Sequence, residues 1–249
     1  NTDFTGDIKK CGSTVHFAGL ADPAINKYTG SITYEDLQSS DIPLLVDQKN
    51  YFAFKVSDID QAQANVDLEN SQASRAAYRL KDECDAYILG KYTEAGETVT
   101  NAAMNSKTAF SAIGEMSRKL DEANVPNEQK WIVIPPWVKL KLILAGVRFS
   151  IKDGTSQQNG VEWTRELGCD LYVSNNVYTT YSEDVPTSYC LGGSRNAIAF
   201  ADSVLNTRAM ELEDSFDTGV SGLHVFGAKV IKPDELVCGT FTEAAETEI

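Results

Sequence analysis

The chain has 249 residues, 42% of them hydrophobic and 23% charged, which is enough for one large domain or two closely joined ones without covalent staples. Lys and Arg number 22 against 36 Asp and Glu, a formal net charge of -14, so the molecule repels polyanions and is a poor candidate for direct DNA binding. The most apolar stretch, Trp131 to Ala145, is broken by Pro135, Pro136, Lys139 and Lys141, which argues against a membrane span.

In chain order, residues 1–56 read as extended. Ser13 to Phe17, Ser31 to Tyr34 and Tyr51 to Val56 are β-rich runs separated by turn formers such as Asp22-Pro23 and Thr29-Gly30. Between them, Gly19 to Asp41 holds too few large apolar residues for a core of its own and is expected to be a projecting loop or hairpin. The chain begins at Asn1 with no signal-peptide pattern, which leaves a cleaved and a truncated N-terminus equally open.

Next comes one long amphipathic helix. Ser57 is a suitable N-cap, Asp58 and Asp60 sit in the first turn, and apolar or small residues recur at Ile59, Ala62, Val66, Ala73, Ala76, Ala77, Leu80, Cys84, Tyr87 and Ile88. Ending near Gly90, it would hold about 33 residues and span roughly 50 Å, longer than a domain of this size can cover. Its first half carries Gln61, Gln63, Asn65, Asn70 and Gln72, polar uncharged groups suited to lying along a neighbouring protein. These five, with Tyr28 and Tyr34 on the loop, are the candidate subunit-contact residues.

A second helix is expected from Ser106 to Ala123, with Phe110, Ile113, Met116, Leu120 and Ala123 inward and Pro126 as its stop. A buried strand follows at Trp131 to Ile134, then a short helix opened by Pro136 and ended by Gly146. Strands recur at Cys169 to Val173, Ala197 to Ala201 and around Leu223 to Ile231, closed by Pro233. This is an α+β pattern without the regular βαβ rhythm of a doubly wound sheet.

Motifs of chemistry are missing. The two histidines, His16 and His224, lie in strand-like runs far in sequence from any carboxylate or cysteine cluster, and read as side chains half-buried on a sheet. Asp82-Glu83-Cys84-Asp85 falls on the helix, where successive side chains point about 100° apart and cannot converge on a metal ion. Gly192-Gly193 ahead of Ser194 and Arg195 reads as a turn. The five scattered cysteines, Cys11, Cys84, Cys169, Cys190 and Cys238, read as small buried hydrophobes rather than disulfide partners. No catalytic, cofactor-binding or metal-binding residue is therefore expected, and no cofactor.

The order of four stretches carries a resemblance. They are Leu45 to Asp60 with Arg75-Ala76-Ala77-Tyr78 and Asp85 further along; Leu120 to Pro126 leading to Trp131-Ile132-Val133-Ile134-Pro135-Pro136; Gly168 to Asn176; and Gly222 to Val230. In this order and spacing the chain resembles the major capsid proteins of tailed double-stranded DNA phages, with the coat fold of bacteriophage Hong Kong 97. The resemblance implies an extended N-terminal region and loop over 1–45, a peripheral domain with its spine helix over 46–94, an axial domain over 95–204, and a return to the peripheral domain with a tail over 205–249. It implies a structural protein, not an enzyme, that is assembled in a bacterial host cytoplasm. Copies would form hexamers and pentamers of an icosahedral virion shell enclosing DNA without reading its sequence, and scaffolding, portal and decoration proteins would be the further partners; no membrane is involved. Some relatives join neighbours by a Lys to Asn isopeptide bond; Lys9, Lys10, Lys27 and Asn26 are present here and read as solvated loop residues. Two other readings are a cellular nanocompartment shell of encapsulin type and, more remotely, a soluble hydrolase using Asp170, His224 and Ser194.

Overall fold

The structure, a computed structural model, describes residues 2–3, 14–20, 27, 39–57, 68–145, 161–164, 168–211 and 217–246. The alternating run Gln48–Ser57 forms strand β4, the third expected early strand. Ahead of it lie β1 (Thr2–Asp3), β2 (Thr14–Leu20) and β3 (Ser39–Leu45). Strands β2 and β3 pair antiparallel from Thr14↔Leu45 to Leu20↔Ser39. The polar excursion is therefore carried on a hairpin, while Ser31 to Tyr34 lie outside the described residues.

Helix α1 runs over Leu68–Leu89, 22 residues, or roughly 33 Å at the helical rise. Ser57, expected as the helix N-cap, is the last residue of β4, and residues 58–67, where the expected first turns fall, lie outside the described part. The helix is poorly covered. From 71 to 89 only Cys84 and Leu89 are buried, and Tyr78 is 70% exposed. After it come a 3-10 turn and β5 (Glu97–Met104), a strand that its polar composition hides because it lies at a sheet edge.

Helix α2 (Ser106–Glu122) starts where a capping box closes it. The Asn105 carboxamide oxygen accepts from the Lys107 and Thr108 amides, and the Asn105 amide donates to the Thr108 hydroxyl. Ala109, Ala112, Ile113, Met116 and Leu120 face inward, while Phe110 is only partly buried. Each of the larger buried side chains contributes about 2 kcal/mol of transfer energy. Next follow β6 (Lys130–Ile134), with alternate residues buried, and α3 (Pro136–Leu144), where proline occupies the first turn and needs no amide partner.

The remaining strands are β7 (Val161–Thr164), β8 (Cys169–Val173), β9 (Thr179–Ser182), β10 (Val185–Ser194), β11 (Ile198–Glu211), β12 (Asp217–Val230) and β13 (Leu236–Glu243). They build two larger sheets. One has seven strands in the order β5-β13-β10-β6-β8-β7 with β9 on β10; the other has four, β1-β11-β12-β4. Strand β12 ends at Val230, ahead of Pro233 as expected, but it is not the last strand: Pro233 opens a 3-10 turn leading into β13, which returns to the seven-stranded sheet between β5 and β10.

Gly192 and Gly193 are not a turn. They lie in β10, paired to Ile132 and Trp131 of β6 and to Val237 and Leu236 of β13. A Cβ on Gly192 would lie 2.9 Å from Ile132 Cγ1 and 3.3 Å from Met116 Cε, so bare backbone here lets α2 settle onto the sheet. The resulting core joins Ile113, Met116, Leu120, Ile132, Leu191 and Phe241 to Ile198, Ala228 and Val230 of the four-stranded sheet. Both sheets therefore share one apolar centre.

Candidate assembly surfaces

Helix α1 lies on the inner face of the four-stranded sheet. Tyr87 meets Phe226 of β12 edge-on with ring centroids 5.5 Å apart, and Cys84 Sγ lies 3.8 Å from Nδ1 of His224. The same imidazole reaches Oδ2 of Asp202 on β11 at 3.1 Å. His224 is buried, 5% exposed, rather than half-buried, and it has both a thiol and a carboxylate beside it. The sequence separations, 140 and 22 residues, are why no motif announced them.

This Cys–His–Asp arrangement is not tuned for nucleophilic attack. Burial, then Asp202, Asp85 and Glu83, push the Cys84 thiol up to about 11, so it stays protonated at neutral pH. Its consequence is mechanical, a polar pin between helix and sheet. The divergence expected along Asp82 to Asp85 is observed: the Asn176 side-chain amide donates to Asp82 at 2.5 Å on one side, while Cys84 faces His224 on another. Among the described residues no group of three or more His, Cys, Asp or Glu could hold a metal ion.

The remote hydrolase set is not assembled. Asp170 accepts from Arg195 at 3.4 Å and Ser194 is buried in β10, both in or beside the seven-stranded sheet, whereas His224 is engaged on the four-stranded one. Cys84, Cys169, Cys190 and Cys238 are free and buried, and burial pushes the Cys169 thiol up to about 12. Cys11 lies outside the described residues.

Of the contact residues read from the sequence, Gln72 is exposed on α1 and Asn70 lies in its first turn; Tyr28, Tyr34, Gln61, Gln63 and Asn65 lie outside the described residues. Two hollows flank α1. One, about 870 Å³, runs between the helix and the seven-stranded sheet and is lined by Tyr78, Asp85, Trp131, Tyr172, Asn176 and Arg195 among others. The other lies against β4 beside Tyr51, Arg79 and Glu83. The first hollow also carries Lys81, Asp82 and Ser174, with Asp82 held by the Asn176 side-chain amide.

Apolar side chains lie bare elsewhere. Leu140, Ile143 and Leu144 project from α3, and Tyr51, Met210 and Leu223 from the outer face of the four-stranded sheet. Exposed apolar surface of this kind, where contiguous, marks a site of contact with another molecule.

No family model matches the chain, and no curated protein matches it. Solved structures do. A structure from Mycobacterium phage Che8 is 25% identical, with 95% of this chain and 87% of that one aligned and a TM-score of 0.72. The capsid of Ralstonia phage GP4 aligns over 96% and 86% at 12% identity and a TM-score of 0.71. The capsid of cyanophage P-SCSP1u aligns over 99% and 87% at 13% identity and a TM-score of 0.69. The mixed α/β architecture described above is thus a phage capsid fold.

Proposed function

We infer that the chain is the major capsid protein of a tailed double-stranded DNA phage, a structural subunit that self-assembles into the icosahedral shell of the virion. One observation carries this: over nearly its whole length the chain has the architecture of phage coat subunits. The surfaces fit the role. A shell needs extended seams of moderate strength, and this molecule keeps an exposed helix, a β-hairpin near its N-terminus and bare apolar strips, with no metal-holding cluster among the described residues.

The finer reading is of Hong Kong 97 type. Helix α1 is its spine, resting on the four-stranded sheet as the peripheral domain, and the β2–β3 hairpin is the loop that overlaps a neighbour. The axial domain is the seven-stranded sheet with α2 and α3. Because β13 pairs within that sheet, residues 236–243 belong to the axial unit in this reading, and the return to the peripheral domain is made by β11 and β12. Hexamers and pentamers are the building units, scaffolding, portal and decoration proteins the partners, and the host cytoplasm the place of assembly. A formal charge of -14 suits an enclosure that must not adsorb the DNA entering it.

Negative-stain microscopy of the purified full-length chain tests the assignment. Closed shells or hexameric plates are expected. A monodisperse monomer at high concentration would refute it, and particles filled with an enzyme rather than DNA would favour a nanocompartment shell.

A further inference from the structure

Among the described residues, the outer face of the four-stranded sheet is covered at one end only. At one end the segment 44–46 lies across it, burying Leu44, Val46, Ala201 and Val225 together. The Leu45 carbonyl oxygen sits 2.1 Å from where a Cβ on Gly227 would be, so the cover lies directly on backbone. At the other end Tyr51 is 77%, Met210 59% and Leu223 36% exposed.

Register puts these side chains on one face. Tyr51 pairs with Leu223 between β4 and β12, Met210 with Gly219 and Arg208 with Ser221 between β11 and β12, and side chains at directly paired positions share a face. Lys49, two residues before Tyr51, and Arg208 are also exposed there. One acid on this face, Asp217, is matched by Lys55 at 3.3 Å. Among the described residues the patch is apolar at its centre with the cations Lys49 and Arg208 at its rim, on a chain whose formal charge is -14.

We propose that this half-face is a seam between subunits, receiving an acidic surface of a second copy of the chain. The inference rests on the capsid reading and extends it to named residues. Copies of one acidic protein repel each other over most of their surface, so a cationic patch is where like subunits can approach with favourable charge. Its centre is of the kind that carries binding energy, since tyrosine and methionine are enriched in interface cores and arginine at hot spots.

The test compares the full-length chain with Tyr51→Glu and with the Lys49→Glu, Arg208→Glu double variant, by sedimentation velocity and microscopy, with thermal melts alongside. All three side chains are exposed, so the melts should coincide. The concentration giving half-assembly should rise about tenfold or more in each variant, and wild-type assembly should weaken with added salt. Equal assembly of all three overturns the seam while leaving the capsid reading intact; a wild-type chain that never assembles removes that reading itself. A photo-reactive phenylalanine at Tyr51 gives a second measure that does not depend on weakening the contact. Adducts between subunits are expected in assembled particles; adducts confined to one chain, or formed only with another virion protein, overturn the proposal.

Discussion

His224 Nε2 lies 3.1 Å from Asp202 Oδ2 on the adjacent strand, and the other ring nitrogen points at Cys84 on the helix. That contact, with the ring of Phe226 stacked 5.3 Å from the imidazole, is where α1 is held to the sheet. Replacing His224 by Ala removes the ring on which Cys84 and Phe226 rest and leaves a void in a packed layer. The expected cost is about 2 kcal/mol, read as a lower urea midpoint. A change within about 0.5 kcal/mol, the usual size for a surface substitution, would show that the pin is ornamental.

Thiol chemistry follows from burial. With Cys84 pushed up to about 11 and Cys169 to about 12, the thiolate populations are small at pH 8. In a Cys11→Ser background, an aromatic disulfide reagent should react slowly with the native chain and fast with all four remaining cysteines in denaturant. Rapid release of a full equivalent from the folded protein would contradict the burial described here.

The segment after β13 is acid-sensitive. Hydrogen bonds from Lys141 first, then Ser106, hold the Glu246 carboxyl down to about 2 from an ordinary 4.5; Lys141 Nζ lies 2.8 Å from it. A depressed carboxyl contributes stability above its unfolded value and loses it as pH falls through the folded one. Glu246→Gln should therefore be less stable than wild type above pH 5, with the gap closing between pH 4.5 and 2. Parallel stability curves across that range would count against the latch.

Gly227 has the tightest surroundings of the glycines among the described residues. Its neighbour is the Leu45 carbonyl, a backbone atom that cannot rotate away. Gly227→Ala should cost about 3 kcal/mol in chemical denaturation and loosen the base of the β2–β3 hairpin, visible as faster amide exchange in residues 44–46. Retention of wild-type stability would mean that the crossing segment sits further off.

The hairpin tip is expected to serve contact rather than folding. Because Leu20 and Ser39 are the last paired residues, replacing 21–38 with a two-residue Asn-Gly turn keeps the ladder closed. The shortened subunit should melt within a few degrees of wild type and fail to form shells. Unfolding would show that the excised residues are core.

Local pattern alone determined a good part of this protein. The strand at 48–57, the helices at 106–122 and 136–144 and the strands at 130–134 and 169–173 were legible because each carries its own periodicity, cap or proline signal over neighbouring residues. The order of those elements carried the family resemblance. Tertiary structure decided what depends on residues far apart in the chain. The edge strand Glu97–Met104 looks polar because one side of it has no neighbour, and Gly192-Gly193 looks like a turn because the closeness of α2, which requires glycine, comes from another segment. The exposed trio Tyr51, Met210 and Leu223 comes from three strands and shares a face only through their register. Periodicity records which side of an element is apolar; which element covers that side, or whether one does, is fixed only when distant strands pair.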